Sequence, residues 1–246
     1  MLSKFQVKFV KSLHQKKARN STHQFIVEGE KNINELLQSK LSVNFIFALP
    51  EWLNNNSAKI EKRVEIIEVN EKELLLISTQ ITPNKVLAVV EMPKYTLSHF
   101  DTDTVIGLEN VQDPGNLGTI IRIADWYGIK NIICSEDTVD VYNPKVINST
   151  MGSFCRVQVH YTDLKDYIRL SQKLVYGMVL DGFSIYATLF DANAMILLGN
   201  ESQGLSEGAL HFVTHPITIP RIGKAESLNV AVSAAIACDN FLGRRL

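Results

Sequence analysis

Cysteine is scarce in this chain, and its few cysteines follow no pattern. Only three occur among 246 residues, Cys134, Cys155 and Cys238, and their spacing fits neither a disulfide framework nor a zinc site. A reducing compartment is therefore favoured. No apolar run approaches the roughly 20 residues of a membrane-spanning helix, and the N-terminus lacks a signal-peptide pattern. We expect a soluble cytoplasmic protein that binds neither a metal nor a membrane.

Nucleotide-binding fingerprints are missing as well. The segment Gly115-Asn-Leu-Gly118 comes nearest, but it lacks the third glycine of the dinucleotide-binding turn, and no Gly-Lys-Ser/Thr follows it. The hypothesis that the chain is a metabolic enzyme with a nicotinamide cofactor therefore has little support. Measuring whether the chain binds NAD would test that hypothesis.

Acidic residues are absent from the first 27 positions. The whole chain has 25 Lys and Arg against 26 Asp and Glu, but all charged residues between Met1 and Val27 are basic. They are Lys4, Lys8, Lys11, Lys16, Lys17 and Arg19. Such a block is typical of a phosphate-binding surface, although a solvated helix face is the alternative. We expect Lys8, Lys16, Lys17 and Arg19 to contact nucleic-acid phosphates.

The pattern of apolar residues predicts two α/β domains, 1–95 and 100–246, with the boundary in the weakly periodic stretch 92–103. From Thr104 strands and helices alternate, which predicts a mainly parallel sheet covered by helices on both faces. The strands predicted there are 105–109, 131–134, 156–159, 174–179, 194–199 and 216–219. The predicted helices are 117–127, 143–151, 162–172 and 227–242.

The first polar segment follows the first of these strands. Apolar residues at helical spacing from Leu117 predict a helix with one buried face, and Asn116 lies just before it, where a helix cap is expected. Arg122 points away from the buried face. Its guanidinium could pair with Asp125 in a structural role, or it could hold a phosphate or a developing oxyanion.

The second segment, Asn200-Glu-Ser-Gln-Gly204, leaves the end of an apolar strand. Glycines at both ends, Gly199 and Gly204, permit tight conformations. A carboxylate at Glu201 would repel a phosphate. The loop therefore suits an uncharged or cationic ligand, or an ion pair with Arg122. An ordinary turn with an exposed glutamate is the alternative.

The third segment follows the last strand, which ends at Ile219. Ser227 is a plausible N-cap for the final helix, and core packing would explain Leu228. Neither argument explains Asn229, a polar amide placed one residue inside that predicted helix. The many small residues of the helix predict either deep burial or a subunit interface. Loops of this kind converge on a site at the carboxyl edge of a parallel sheet.

Together the three segments resemble the SpoU/TrmH branch of the SPOUT RNA methyltransferases. They look like its Asn-x-Gly-x-x-x-Arg, Gly-x-Glu-x-x-Gly and Ile-Pro…Ser-Leu-Asn-Val motifs, in the same order. The likeness extends to the N-terminal part, in Lys17-Ala-Arg19, Phe25-Ile-Val-Glu-Gly-Glu30 and Val86-Leu-Ala-Val-Val-Glu-Met-Pro93. Three positions depart from the pattern: Asn148, Thr150 and Ala231 stand where relatives often have arginine, serine and serine.

The resemblance implies an N-terminal RNA-binding domain and a C-terminal SPOUT domain whose chain forms a trefoil knot. S-adenosylmethionine would be held by backbone groups near Gly199, Ile219 and Leu228, and the final helix would pack in a homodimer. Methyl transfer to a ribose 2′-hydroxyl would depend on Arg122, with Asn116, Glu201, Ser227 and Asn229 orienting the reacting groups. Ribosomal RNA is favoured over transfer RNA because of the basic N-terminal domain. A transfer-RNA enzyme and a non-catalytic RNA-binding relative are the alternatives.

Overall fold

A computed structural model of the chain describes residues 2–98 and 103–243, so part of the predicted boundary stretch lies outside the described residues. The chain divides into two compact units. The first takes in Met1–Lys94 and Asp140–Cys155, and the second takes in Tyr95–Val139 and Arg156–Leu246. Among the described residues, no helix has the length and apolar character needed to cross a membrane.

The helices and strands follow one another in this order. They are α1 (Lys4–Ser12), α2 (Lys16–Thr22), β1 (Gln24–Glu28), α3 (Glu30–Leu37), β2 (Val43–Ala48), α4 (Pro50–Asn56), β3 (Glu65–Glu68), α5 (Glu71–Ile77), β4 (Val86–Glu91), β5 (Val105–Leu108), α6 (Pro114–Trp126), β6 (Asn131–Cys134), α7 (Pro144–Thr150), β7 (Gln158–Tyr161), α8 (Leu164–Ser171), β8 (Leu174–Ser184), β9 (Ala194–Leu198), α9 (Glu207–Leu210), β10 (His215–Thr218) and α10 (Val230–Leu242).

The first unit is built on a four-stranded sheet with the order β1-β4-β2-β3. Strand β4 is antiparallel to β1 and β2, and β3 is parallel to β2. Successive side chains of a strand point to opposite faces. Phe25 therefore packs with Ile33 and Trp52 on one face, whereas Ile26 packs with Val10 on the other. Both faces are covered, which accounts for the continuous apolar strands.

The segment Asp140–Cys155 packs in the first unit, although the sequence-based boundary places it with the second. Its apolar residues account for this. Ile147 and Phe154 are buried in the same cluster as Phe25, and the ring of Tyr142 lies 4.6 Å from that of Phe25. Contacts between residues so distant in sequence leave no periodic signal, so local patterns could not assign this segment.

The second unit contains a six-stranded sheet with the order β10-β8-β9-β5-β6-β7. All of its neighbouring strands run parallel, which confirms the predicted α/β class with a parallel sheet. From β5 the chain adds β6 and β7 on one side, and β8, β9 and β10 then lie on the other. Ligands of such sheets bind beyond the carboxyl ends of the strands near the reversal, here those of β5 and β9.

Helices cover both faces of this sheet. Val105, Met195 and Leu197 pack against α8 and α9. The alternate residues Ile106 and Ile196 are also fully buried, and helix α10 packs against α6 and β9. The predicted elements are therefore present, with shifted ends.

The starts of two elements differ from the prediction for local reasons. The strand predicted at 156–159 lies at Gln158–Tyr161, because a 3-10 helix at Ser153–Cys155 delays its start. The final helix starts at Val230 rather than at Ser227, since Asn229 caps it. The short helices α4 and α9 were not predicted. Pro50 opens α4, where a proline suits the first helical turn.

Candidate active site

Glu201 joins the loop after β9 to the loop after β5. Its Oε1 accepts hydrogen bonds from the backbone N–H of Asp113 at 3.1 Å and from Nδ2 of Asn116 at 3.0 Å. Its Oε2 accepts from the backbone N–H of Gln112 at 3.3 Å. Burial raises the pKa of Glu201, but these hydrogen bonds outweigh it, so the pKa lies below its ordinary value. The carboxylate is therefore ionised at neutral pH, and its hydrogen bonds fix its position.

The loop that carries Glu201 is closed by its own backbone. Asn200 and Gly204 exchange two backbone hydrogen bonds of 3.0 and 2.9 Å, and Gly204 has a φ of 71°, in the region that favours glycine. A Cβ at Gly199 would overlap backbone atoms of Gly204 and Leu205. Both glycines of the motif are therefore required by the tight turn.

Asn116 extends the network to the last helix. Its Oδ1 accepts a 2.9 Å hydrogen bond from Nδ2 of Asn229. Asn229 is not inside α10 as predicted but is its N-cap, and its Oδ1 accepts from the backbone N–H groups of Ala231 and Val232. Asn116 is likewise not the cap of α6, because Asp113 caps that helix. Glu201, Asn116 and Asn229 thus form one hydrogen-bonded chain between three loops, which we call the polar bridge.

Ser227 and Leu228 differ from the expectation for the start of α10. Ser227 does not cap the helix; it is exposed and has no hydrogen-bond partner within the described part of the chain. Leu228 is 48% exposed, so core packing does not explain it. Both residues instead line a cavity.

That cavity has a volume of about 590 Å³ and is formed at the carboxyl ends of β9 and β10 and beside the middle of β8, around Val179. The three predicted cofactor-binding residues, Gly199, Ile219 and Leu228, all line it. Glu201 and Ser227 line it as well. Its volume lies within the range of about 300–1,000 Å³ typical of small-molecule sites. The described residues contain no cluster of His, Cys, Asp and Glu that could hold a metal ion.

Arg122 lies on the exposed face of α6. The alternative pairing with Asp125 does not occur, because Asp125 pairs with Arg156 at 2.8 Å. Nor does Arg122 pair with Glu201, whose carboxylate is held by the contacts given above. Within residues 2–98 and 103–243 the Arg122 guanidinium has no hydrogen-bond or ion-pair partner. It is available to an external anion.

The predicted phosphate-binding residues divide into two groups. Lys8, Lys16 and Lys17 are exposed and make no ion pair with any described residue. The structure contradicts the predicted phosphate contact of Arg19, because its side chain is only 2% exposed and pairs with Asp140 at 2.5 Å. It also donates to the backbone oxygens of Leu13 and His14. A guanidinium with so many protein partners cannot bind a phosphate.

Comparison with known proteins assigns the chain to a family. Residues 103–239 match the SpoU rRNA Methylase family. The chain belongs to this family. Residues 4–88 match the MRM3-like substrate binding domain. Both matches confirm the family that the three motifs predict.

Several relatives resemble nearly the whole SpoU chain. The 23S rRNA (guanosine(2553)-2′-O)-methyltransferase RlmP of Bacillus subtilis is 33% identical over 241 residues, which cover 96% of each protein. A TrmH-family protein of Porphyromonas gingivalis superposes with a TM-score of 0.90 at 36% identity, covering 99% of both chains. The AdoMet-bound rRNA methyltransferase of Sinorhizobium meliloti superposes with a TM-score of 0.89 at 29% identity, covering 100% of this chain and 97% of that one.

Sequence reasoning missed several residues that build the site of this SpoU protein. Asn200 donates from Nδ2 to the backbone oxygen of Asn110 at 2.8 Å, and this bond ties the two loops together. Glu109 accepts hydrogen bonds from Ser206, from its N–H at 2.8 Å and its hydroxyl at 2.6 Å. The available signal was position alone, since Glu109 is the first residue after β5 and Asn200 the second after the neighbouring strand β9.

Proposed function

We propose that this protein transfers a methyl group from S-adenosylmethionine to a ribose 2′-hydroxyl of ribosomal RNA. The observation that carries the proposal is the polar bridge beside the 590 Å³ cavity, in a chain of the SpoU family. The Bacillus relative is a 23S rRNA 2′-O-methyltransferase, and the Sinorhizobium structure contains bound AdoMet.

The cavity fits the chemistry of the cofactor. Its walls combine apolar side chains, such as Leu228, with the backbone of the tight turn at Gly199. The absence of a Cβ at Gly199 allows the backbone of Gly204 to close over it. Backbone groups at Gly199 and Ile219 would hold the adenosine and amino-acid parts. When bound, S-adenosylmethionine supplies an electrophilic methyl group on a sulfonium.

The described residues supply alignment and electrostatics for the methyl acceptor. In the reaction a carbon–oxygen bond forms at the ribose, the carbon–sulfur bond breaks to release S-adenosylhomocysteine, and the hydroxyl proton passes to solvent water. An arginine guanidinium is in general a poor base, so we do not assign proton removal to Arg122. We assign this residue to stabilising the developing charge on the ribose oxygen and to binding the adjacent phosphate. The polar bridge fixes the loops on which Ser227 and Glu201 lie, so donor and acceptor can be aligned.

RNA binding is assigned to the exposed lysines of the first unit, Lys8, Lys16 and Lys17. Counterions condensed on RNA are released when exposed lysines neutralise its phosphates, so RNA affinity should fall steeply as salt rises. The match of residues 4–88 to a substrate-binding domain supports this assignment. A homodimer, a trefoil knot in the second unit and a cytoplasmic location complete the proposal. The dimer is supported by the apolar side chain of Val232, which is 48% exposed on α10, a helix made mostly of small apolar residues.

The decisive experiment is ribose-methylation mapping of total RNA from cells with and without the gene. We expect one 2′-O-methyl site to disappear from ribosomal RNA and to return when the wild-type gene is restored. A site lost from transfer RNA would support the methyl-transfer reaction but would show that the substrate is transfer RNA and not ribosomal RNA. No change at any site, together with retained RNA binding by the purified protein, would favour the non-catalytic alternative.

A further inference from the structure

Helix α1 exposes an aromatic side chain next to free lysines. Phe5 is 77% exposed, and Lys4, Lys8 and Lys11 on the same helix are exposed as well. None of the three lysines has an ion-pair or hydrogen-bond partner among the residues that the structure describes. A single exposed apolar residue is ordinary on a protein surface, so the argument depends on how Phe5 is held and on what surrounds it.

A column of phenylalanine rings holds Phe5 in place. Its ring stacks on that of Phe9, with centroids 6.4 Å apart and planes 5° from parallel. Phe9 meets Phe45 edge-on at 6.3 Å, and Phe45 stacks on Phe47 at 6.3 Å. Phe47 is 1% exposed, so the column reaches the core of the first unit. Phe9 contacts one face of the Phe5 ring, and most of the Phe5 side chain is left open to a ligand.

Helical spacing places the lysines beside this ring and away from the core. Lys4, Lys8 and Lys11 recur at intervals of four and three, so they form one stripe along α1. Phe5 lies next to the stripe, and the fully buried Val10 marks the opposite side. No Asp or Glu occurs between residues 1 and 27. Helix α5, which packs against α1, carries Glu71 and Glu73, but the three lysines make no ion pair with any described residue. This surface therefore presents three free cations beside one exposed aromatic ring.

We propose that α1 binds an unpaired nucleotide of the RNA substrate, with its base stacked on Phe5 and the flanking phosphates bound by Lys4, Lys8 and Lys11. The inference rests on the proposed function and adds the kind of RNA element that the first unit recognises. An aromatic platform in a cationic groove is how proteins bind single-stranded RNA, because unpaired bases expose their faces. A duplex keeps its bases stacked internally and offers the lysines only its phosphates.

The test compares binding of a single-stranded oligoribonucleotide with binding of the same strand in a duplex, by fluorescence anisotropy with the full chain. Phe5→Leu keeps an apolar side chain but removes the stacking face. We expect it to weaken single-strand binding by about 5- to 150-fold, with little change for the duplex. Phe5→Trp should restore binding, and its fluorescence should be quenched by the stacked base. Ile81→Ala is the matched control, because Ile81 is 97% exposed in the same unit.

Three outcomes would overturn the proposal. Phe5→Leu could bind both RNAs as the wild type does, or it could weaken both equally. It could also change the sedimentation of the protein without changing RNA affinity, which would assign Phe5 to a protein contact. In each case, continued methylation by the wild-type protein would leave the proposed function standing. Failure of the wild type both to bind RNA and to transfer methyl groups would reject the two proposals together.

Discussion

Asn116 donates a 3.0 Å hydrogen bond from its side-chain amide to Oε1 of Glu201. The same amide accepts a 2.9 Å hydrogen bond from Asn229 through its oxygen. An asparagine supplies both a donor and an acceptor, so it can connect a carboxylate to another amide. The three motif segments are therefore positioned by one another. A substitution of Glu201, Asn116 or Asn229 should displace the other two side chains.

Replacing Glu201 by glutamine should lower the methylation rate without unfolding the protein. Both oxygens of the carboxylate accept hydrogen bonds, but an amide presents an NH₂ group to one set of donors. Hydrogen bonds to a charged group contribute about 1.5–3 kcal/mol, so the single-turnover rate should fall roughly 10- to 150-fold. Glu207→Gln, which changes an exposed glutamate of α9, is the matched control. An unchanged rate in Glu201→Gln would exclude the polar bridge from the reaction.

The wild type and Glu201→Gln should differ in stability, and the difference should depend on pH. The pKa of Glu201 in the folded protein is lowered, so the folded state binds fewer protons than the unfolded chain in mildly acidic solution, and stability rises with pH there. The contribution is complete above the ordinary pKa of a glutamate and disappears as pH falls through the lowered value. The Tm difference between wild type and Glu201→Gln should therefore be constant at neutral pH and shrink in acid. A difference independent of pH would contradict the assignment.

Gly199 and Gly223 offer a matched pair of glycines beside the cavity. A Cβ at Gly199 would overlap the backbone of Gly204 and Leu205, whereas a Cβ at Gly223 would meet nothing within 4 Å. Gly199→Ala should lose about 1–3 kcal/mol of stability through overpacking and should weaken S-adenosylmethionine binding measured by calorimetry. Gly223→Ala should change neither quantity appreciably. Equal effects of the two substitutions would show that the tight turn does not shape the cofactor site.

Arg122→Ala should reduce the reaction rate and leave the fold intact. The guanidinium is exposed and unpaired within the described structure, so the change in unfolding free energy should stay within about 0.5 kcal/mol. Removing a group that stabilises developing charge lowers a rate by about 100- to 1000-fold. Arg169→Ala, which removes a 67% exposed arginine of α8, is the control. If Arg122→Ala reached the wild-type single-turnover rate at saturating RNA, Arg122 would bind RNA but would not stabilise the developing charge.

The order of strands and helices in the second unit was predictable because each element carries its own periodicity. Four of the residues named from the sequence, Gly199, Glu201, Ser227 and Leu228, line one cavity, because they follow strands whose carboxyl ends meet at the same edge of the sheet. Their local roles were not predictable. Asp113 and Asn116 are both suitable N-cap residues for α6 in the sequence, and only the structure shows that Asp113 is the N-cap.

Non-local contacts account for the remaining differences. Arg19 has the sequence context of a phosphate-binding residue, because basic residues surround it and no acid is near in sequence. Its partner, Asp140, is separated from it by 121 positions. Burial of an ion pair between such distant residues depends on the tertiary fold, and the charge pattern of a short window carries no trace of it.

Arg19 and Asp140 should therefore act on stability and not on RNA affinity. Their side chains are only 2% and 12% exposed, and removing one partner of a buried ion pair destabilises a protein by about 3–5 kcal/mol. Arg19→Ala should show this loss in urea unfolding, whereas Lys17→Ala, at an exposed lysine of the same helix, should not. At temperatures where both variants are folded, Lys17→Ala should bind RNA more weakly and with a shallower salt dependence, and Arg19→Ala should bind like the wild type. The double variant Arg19→Met with Asp140→Leu should recover part of the lost stability, because it leaves no unpaired buried charge. A phosphate-binding role for Arg19 would produce the opposite pattern, with normal stability and reduced RNA affinity.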